Sequence, residues 1–184
     1  SMLIVQNGVY GERIAKIAGC YHFQKHVLKY PWGSPPDLRQ IDDTLAACPE
    51  IEVVAVAHHE TTTGLLNPLR EIGEIVRRHK RRFLADCISS LAGDFIDFDK
   101  THLDFCVGTA NKCIQGYPGV SFVLMRRDEA ARLEKIPQRS LYLNLYGYYK
   151  AQEKGDILFT PAIQAHYALD EALSSVVERQ IKPC

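Results

Sequence analysis

Residues 53–86 read VVAVAHHETTTGLLNPLREIGEIVRRHKRRFLAD. The first five are apolar and mostly β-branched, a run that suits a strand buried within a sheet. A polar loop from His58 through Thr63 follows. Leu69, Ile72, Ile75 and Val76 then recur at the spacing of one helix face, and Arg82-Phe83-Leu84-Ala85-Asp86 returns as a second strand. Strand, helix and strand in this order make a βαβ unit, the building block of a mainly parallel sheet.

The same alternation extends outward in both directions. Upstream, Leu3-Ile4-Val5 reads as a buried strand, Asn7-Gly8 as a turn, and Tyr10 to Ala18 as a helix with Ile14 and Ile17 on its inner face. Val27-Leu28 is a short strand. The loop Pro31-Trp32-Gly33-Ser34-Pro35-Pro36 leads into a helix over Asp37 to Ala47, with Leu38, Ile41 and Leu45 along one side. Downstream, Phe105–Thr109 and Val120–Met125 supply two further strands joined by a tight connection at Gly116 and Gly119, and beyond Arg127 the pattern is helical, with a long helix expected from Pro161 to Glu178. The fold class is therefore α/β: a three-layer α/β/α arrangement around a mainly parallel sheet. No repeat or low-complexity linker divides residues 1–184.

Composition narrows the function. With 184 residues and 46% apolar side chains the chain can fill a core, which argues against disorder and against a small disulfide-stapled scaffold. Lys and Arg total 22, as do Asp and Glu, so no net charge draws the molecule to nucleic acid or anionic lipid. Six cysteines without a C-x-x-C pair suggest neither a zinc site nor a disulfide framework, and they favour a reducing, cytoplasmic setting. No run approaches the ~20 apolar residues of a membrane helix. Ser1 ahead of Met2 reads as a tag-cleavage remnant. The chain opens directly on an apolar strand and stops soon after a long amphipathic helix, which suggests a fragment of something longer.

Ligands of an open α/β sheet collect at the carboxyl ends of its strands. Those ends carry His58 to Thr63; Asp86, Ser89 and Ser90; Thr109, Asn111 and Lys112; and Arg126 and Arg127. Lys112 follows an apolar strand and lies between Ala110 and Ile114, a setting expected to bury the amine, lower its pKa and make it nucleophilic. A lysine of this kind facing an aspartate from the neighbouring strand end suits pyridoxal 5'-phosphate. The amine forms a Schiff base, and the carboxylate holds the ring nitrogen protonated. At ~4 Å and an effective dielectric near 20, such a charge pair is worth about 4 kcal/mol.

Three segments carry a family resemblance: His59-Glu60-Thr61-Thr62-Thr63-Gly64-Leu65-Leu66-Asn67-Pro68, Asp86-Cys87-Ile88-Ser89-Ser90, and Ala110-Asn111-Lys112-Cys113-Ile114-Gln115-Gly116-Tyr117-Pro118-Gly119. Together with Asn7-Gly8-Val9-Tyr10-Gly11-Glu12-Arg13 and the 26 residues separating Asp86 from Lys112, they resemble the class V aminotransferases of the pyridoxal-phosphate fold type I group. The likeness is strongest to members that use an aminophosphonate donor and pyruvate.

The resemblance implies a transaminase that takes a small-molecule amino donor and a 2-oxo acid. Lys112 is then the catalytic lysine bonded to the cofactor, and Asp86 the partner of the ring nitrogen. Thr61 lies on the 3-hydroxyl side, Ile88 packs against one face of the ring, and Asn111 stands near the phosphate. Thr160 matches a threonine reaching the phosphate of the neighbouring subunit, which implies a homodimer with shared sites. The chain corresponds to part of the family's large domain. The phosphate-cupping loop, the ring-stacking aromatic and the C-terminal domain with its carboxylate-clamping arginine have no matching segment, so weak or no cofactor retention, and no activity, is expected of this chain alone. Other class V transaminases, acting on alanine, serine or glyoxylate, share every motif quoted. A non-catalytic scaffold or interaction module of the same fold is the alternative from a different class.

Three further features read more simply. The basic run Arg77 to Arg82 is expected to complement a helix C-terminus rather than bind nucleic acid. His58 and His59, adjacent in the chain, should point apart, so no metal is expected there. Tyr142, Tyr146, Tyr148 and Tyr149, beside Leu141, Leu143 and Leu145, suggest an interface rather than a nucleic-acid stacking platform.

Overall fold

Continuous apolar runs become the interior strands, and amphipathic segments become the helices that cover them. A computed structural model describes residues 1–181, with side chains described through residue 178. In chain order the elements are β1 (Met2–Gln6), α1 (Val9–Cys20), β2 (Lys25–Lys29), α2 (Leu38–Ala47), β3 (Val53–Ala57), β4 (His59–Glu60), β5 (Leu65–Leu66), α3 (Leu69–Arg78), β6 (Arg82–Asp86), α4 (Phe98–Thr101), β7 (Phe105–Thr109), β8 (Ser121–Met125), α5 (Glu129–Leu133), α6 (Leu145–Glu153) and α7 (Ile163–Ile181). The main sheet runs β2-β1-β3-β6-β7-β8, and β4 and β5 form a small separate hairpin. The expected strands β3, β6 and β7 appear residue for residue.

Every pairing in the main sheet is parallel except the last, where β8 runs antiparallel to β7 with Thr109 opposite Ser121. This corrects the expectation that Arg126 and Arg127 share the ligand end of the sheet. The turn around Gly116 and Gly119 returns β8 towards the opposite end. There Arg126 donates to Asp99 Oδ1 at 3.0 Å and to the Leu103 carbonyl at 2.9 Å.

Side chains leave successive strand residues on opposite faces. Leu3, Val5, Val54, Val56 and Phe83 enter a large core with Ile41 and Leu45 of α2 and Leu69, Ile72, Ile75 and Val76 of α3. Ile4 and Ala55 face the other way, onto Ala15 and Ala18 of α1. Asp37 caps α2 by accepting from the Arg39 and Gln40 amides at 2.9 and 3.2 Å, a contribution of about 1 kcal/mol.

On α1 half of the expectation holds. Ile14 packs against the cluster of Ile4, Ala15, Ala18 and Ala55, but Ile17 is 52% exposed, and the buried line is Gly11, Ala15 and Ala18. These small residues let the helix approach closely, and Ile17, one position from Ala18, is rotated about 100° out of the contact.

The basic run is used locally. Arg78 and His79 both engage Asp42, Arg77 meets His102, and Arg82 pairs with Glu129. The tyrosine segment forms a half-exposed aromatic cluster in which the rings of Tyr142 and Phe159 are 5.0 Å apart and Tyr142 and Tyr148 meet edge to face. The final helix begins at Ile163, two residues later than expected. Among the described residues no helix is long and apolar enough to cross a membrane.

Candidate active site

The carboxyl ends of β1, β3, β6 and β7 lie side by side, so loops distant in sequence meet there. Asp86 closes β6 opposite Ala57 of β3 and Val107 of β7. Its Oδ1 accepts the Ile88 amide at 3.0 Å, and among the described residues it has no ion pair. Burial pushes its carboxyl pKa up. The Ile88 hydrogen bond opposes that shift, nearby Glu60 adds to it, and Arg13 works against it. The result is a half-buried carboxylate whose charge lacks a bonded cation.

One residue past β3, His58 is buried and its amide donates to the Asp86 carbonyl at 2.9 Å. The imidazole Nδ1 lies 2.9 Å from Ser90 Oγ, and Nε2 is 3.5 Å from Asp94 Oδ2. Burial lowers the His58 pKa despite Asp94, which favours a neutral ring. The Nδ1 atom of His59 is buried without a hydrogen bond. The only potential metal-ligand group among the described residues is elsewhere, towards the amino ends of the strands, where ligand atoms of His26, Cys48 and Glu50 lie within 4.8 Å of one another.

The loop after β6 connects the other site residues. Thr61 Oγ1 donates to Ser89 Oγ at 2.9 Å, and Cys113 Sγ donates to the Ser89 carbonyl at 3.4 Å. The sequence-predicted Thr61, Asp86 and Ile88 thus share one neighbourhood with the turn that carries Lys112. Lys112 itself is exposed, which corrects the expectation of a buried amine. Ala110 and Ile114 on either side are the buried members; they anchor the turn and leave the ammonium pointing outward. Asn111 is also exposed and accepts from Thr109 Oγ1 at 2.9 Å. Thr160 lies apart, exposed between α6 and α7, and no hydrogen bond joins it to this group among the described residues.

Sequence reasoning placed Glu60 at this end of the sheet but did not pair it with the start of α1. Glu60 is fully buried and accepts the Gly11 amide at 2.7 Å and the Tyr10 amide at 3.0 Å, at the N-terminus of α1. Tyr10 and Arg13 are therefore part of the same end of the sheet, with the guanidinium 4.9 Å from the Tyr10 ring centre. Beside them Asn7 donates to Asn67 Oδ1 at 2.8 Å, and Asn67 donates to the Ala57 carbonyl at 2.8 Å. The two glycines of Gly8-Val9-Tyr10-Gly11 were the available signal, since small residues at a strand-to-helix turn admit a close neighbour.

Comparison with known proteins points the same way. Residues 15–182 match the family model described as aminotransferase class-V. The 2-aminoethylphosphonate–pyruvate transaminase of Bacteroides fragilis is 36% identical over 179 residues, and that of Lysinibacillus sphaericus is 38% identical over 178 residues. Each alignment covers 96% of this chain but only 49% and 48% of the relative, so the chain spans about half the length of these curated relatives. Among solved structures, pyridoxamine-pyruvate aminotransferase from Mesorhizobium loti superposes with a TM-score of 0.87 at 28% identity, covering 97% of this chain and 46% of that one. Ureidoglycine-glyoxylate aminotransferase from Bacillus subtilis superposes with a TM-score of 0.89 at 27% identity, covering 96% and 46%.

Proposed function

The chain belongs to the aminotransferase class-V family, whose cofactor is pyridoxal phosphate, and from that premise we propose that it forms part of the cofactor-binding domain of a transaminase. The proposed reaction moves an amino group from 2-aminoethylphosphonate to pyruvate, in line with the relatives' names. The observation that carries this reading is the placement of Asp86 and Lys112 at the ends of adjacent parallel strands, joined through the Ser89 loop.

The residues present fit the cofactor. A half-buried carboxylate raised by burial, with no ion pair among the described residues, gains most from a cationic N–H, such as that of a protonated pyridine ring. An exposed lysine one strand away is free to reach a carbonyl carbon. When bound, pyridoxal phosphate supplies a ring that accepts electrons from the carbon bearing the amine.

Asp86 keeps a proton on the ring nitrogen by charge and hydrogen bonding. Lys112 would hold the cofactor through Nζ and, once free, would move a proton at the donor carbon. The Thr61 hydroxyl, already fixed by Ser89, is the proposed neighbour of the cofactor's 3-hydroxyl, and Ile88 supplies an apolar contact to the ring. Asn111 would stand near the phosphate. In this reading Thr160 serves the cofactor of a second copy, and the assembly is a homodimer. The phosphate-cupping loop and the carboxylate-clamping arginine have no counterpart assigned among these residues.

Borohydride reduction in the presence of pyridoxal phosphate, followed by peptide mapping, tests the assignment. The label is expected on Lys112 and absent from Lys112→Ala. Labelling spread over surface lysines would overturn it. A donor and acceptor screen of the full-length protein then checks the substrates, and turnover of alanine with glyoxylate but not of 2-aminoethylphosphonate with pyruvate would replace them.

A further inference from the structure

The helix α1, which begins at the proposed cofactor end of the sheet, has no side-chain cap of its own. Gly8, its N-cap residue, offers no side chain, and its backbone is extended at φ 178°. The first amides of an α-helix need acceptors, and the N-terminus favours negative charge. Both needs are met from 50 residues away in sequence. Glu60 presents one carboxylate oxygen to the Tyr10 amide at 3.0 Å and the other to the Gly11 amide at 2.7 Å.

Glu60 is 0% exposed, and among the described residues no cation forms an ion pair with it, so the helix end is its principal electrostatic partner. The fit leaves little room for anything else. A Cβ added at Gly8 would lie 2.5 Å from Glu60 Oε2 and 2.6 Å from its Cδ, while one at Gly11 would lie 2.6 Å from the Val5 carbonyl oxygen and 3.3 Å from Glu60 Oε1. The two glycines are thus explained by a carboxylate and a strand pressed against the turn.

We propose that Glu60 is a positioning residue of the site, clamping the start of α1 to the β4–β5 hairpin so that Tyr10 on one side and Thr61 on the other form a single rigid wall beside Asp86. Tyr10 shares its amide with the clamp, and Thr61 is the next residue after Glu60 in the chain. Neither can shift without disturbing the carboxylate. Arg13, one turn into the helix, is stacked over the Tyr10 ring and is held at the same end by the same contact. The role assigned to Glu60 rests on the pyridoxal-phosphate reading; the clamp itself does not.

Two experiments separate these layers. The first uses the chain without cofactor and compares wild type, Gly8→Ala, Glu60→Ala and the double variant by thermal unfolding. An extended backbone accepts alanine, so the damage from Gly8→Ala should come only from pushing the carboxylate off its amides. Gly8→Ala is expected to lower the midpoint by about 5 °C in the wild-type background and by less than about 1 °C in Glu60→Ala. Equal losses in both backgrounds would overturn the clamp.

The second uses the full-length protein with pyridoxal phosphate and compares wild type with Glu60→Gln, which preserves shape but sets an NH2 group against an amide. Its release of cofactor on dialysis is expected to be about tenfold faster, and the induced circular dichroism of the cofactor band at least halved, with the far-ultraviolet spectrum unchanged. An unchanged cofactor band with a lowered unfolding midpoint would reduce Glu60 to a stabilising residue and overturn the positioning role. A wild-type protein that binds no cofactor would sink the proposed function and the positioning role together, while the first experiment would still decide the clamp.

Discussion

Two helices pack on this sheet in opposite ways. α3 brings Leu69, Ile72, Ile75 and Val76 onto one face, and its hold is apolar bulk. α1 brings Gly11, Ala15 and Ala18 onto the other, and its hold is close approach of backbone to backbone together with a buried carboxylate on its first turn. The contrast separates support from placement. Apolar burial is non-directional, whereas hydrogen bonds from a carboxylate to backbone amides fix orientation as well as contact. The candidate site is built at the end of the second kind.

The contrast is open to direct attack. Truncating Ile72, which is 0% exposed, should cost about 3 kcal/mol of unfolding free energy in a urea titration, because a cavity remains in the large-side-chain core. A loss below about 1 kcal/mol would mean that α3 does not depend on bulk. Enlarging α1 instead, Ala18→Leu, should cost about 2 kcal/mol by forcing the helix away from Ile4 and Ala55. It should also weaken pyridoxal-phosphate binding, an effect not expected of Ile72→Ala at temperatures where both variants are folded.

The polar end of the sheet should respond to acid where the apolar face does not. The folded state holds His58 below its ordinary pKa of 6.5, so as pH falls through 6.5 the unfolded chain takes up the proton first. The stability associated with neutral His58 is complete above that pH and declines below it, by no more than about 1.4 kcal/mol per pH unit for one proton. Asp94 opposes this trend and His59 reinforces it. Urea midpoints from pH 7.5 to 5.5 should fall less steeply in His58→Gln than in wild type; parallel slopes would assign the acid sensitivity to other groups. The smallest expected effect is at Ile17, where replacement by Ala should change stability by less than about 0.5 kcal/mol, because the side chain is mostly in water.

The pattern of what was legible follows the same division. β3, β6 and β7 could be read to the residue because each is a run of apolar side chains ended by a polar or turn-forming residue, and α3 because bulky residues mark its buried face. α1 misled because reading by hydrophobicity chooses Ile17 over Ala18, while packing distance chooses the reverse. The direction of β8 was hidden, since a four-residue apolar run reads alike in parallel and antiparallel pairing. Asp86 and Lys112 were visible through their strand-end placement and the family motifs, but the exposure of Lys112 was not. Its neighbours Ala110 and Ile114 carry the burial that the local composition suggested for the lysine itself.

Periodicity and motif alone determined that this protein is an α/β sheet with an acid and an amine at neighbouring strand ends, because those properties are set by residues close together in the chain. Only the tertiary structure decided that Glu60 meets Tyr10 and Gly11, that His58 meets Ser90 and Asp94, and that Arg126 lies at the far end of the sheet. Those contacts depend on which loops the strand order brings together, and a hydrogen bond between residues 50 positions apart leaves no periodic trace in the sequence.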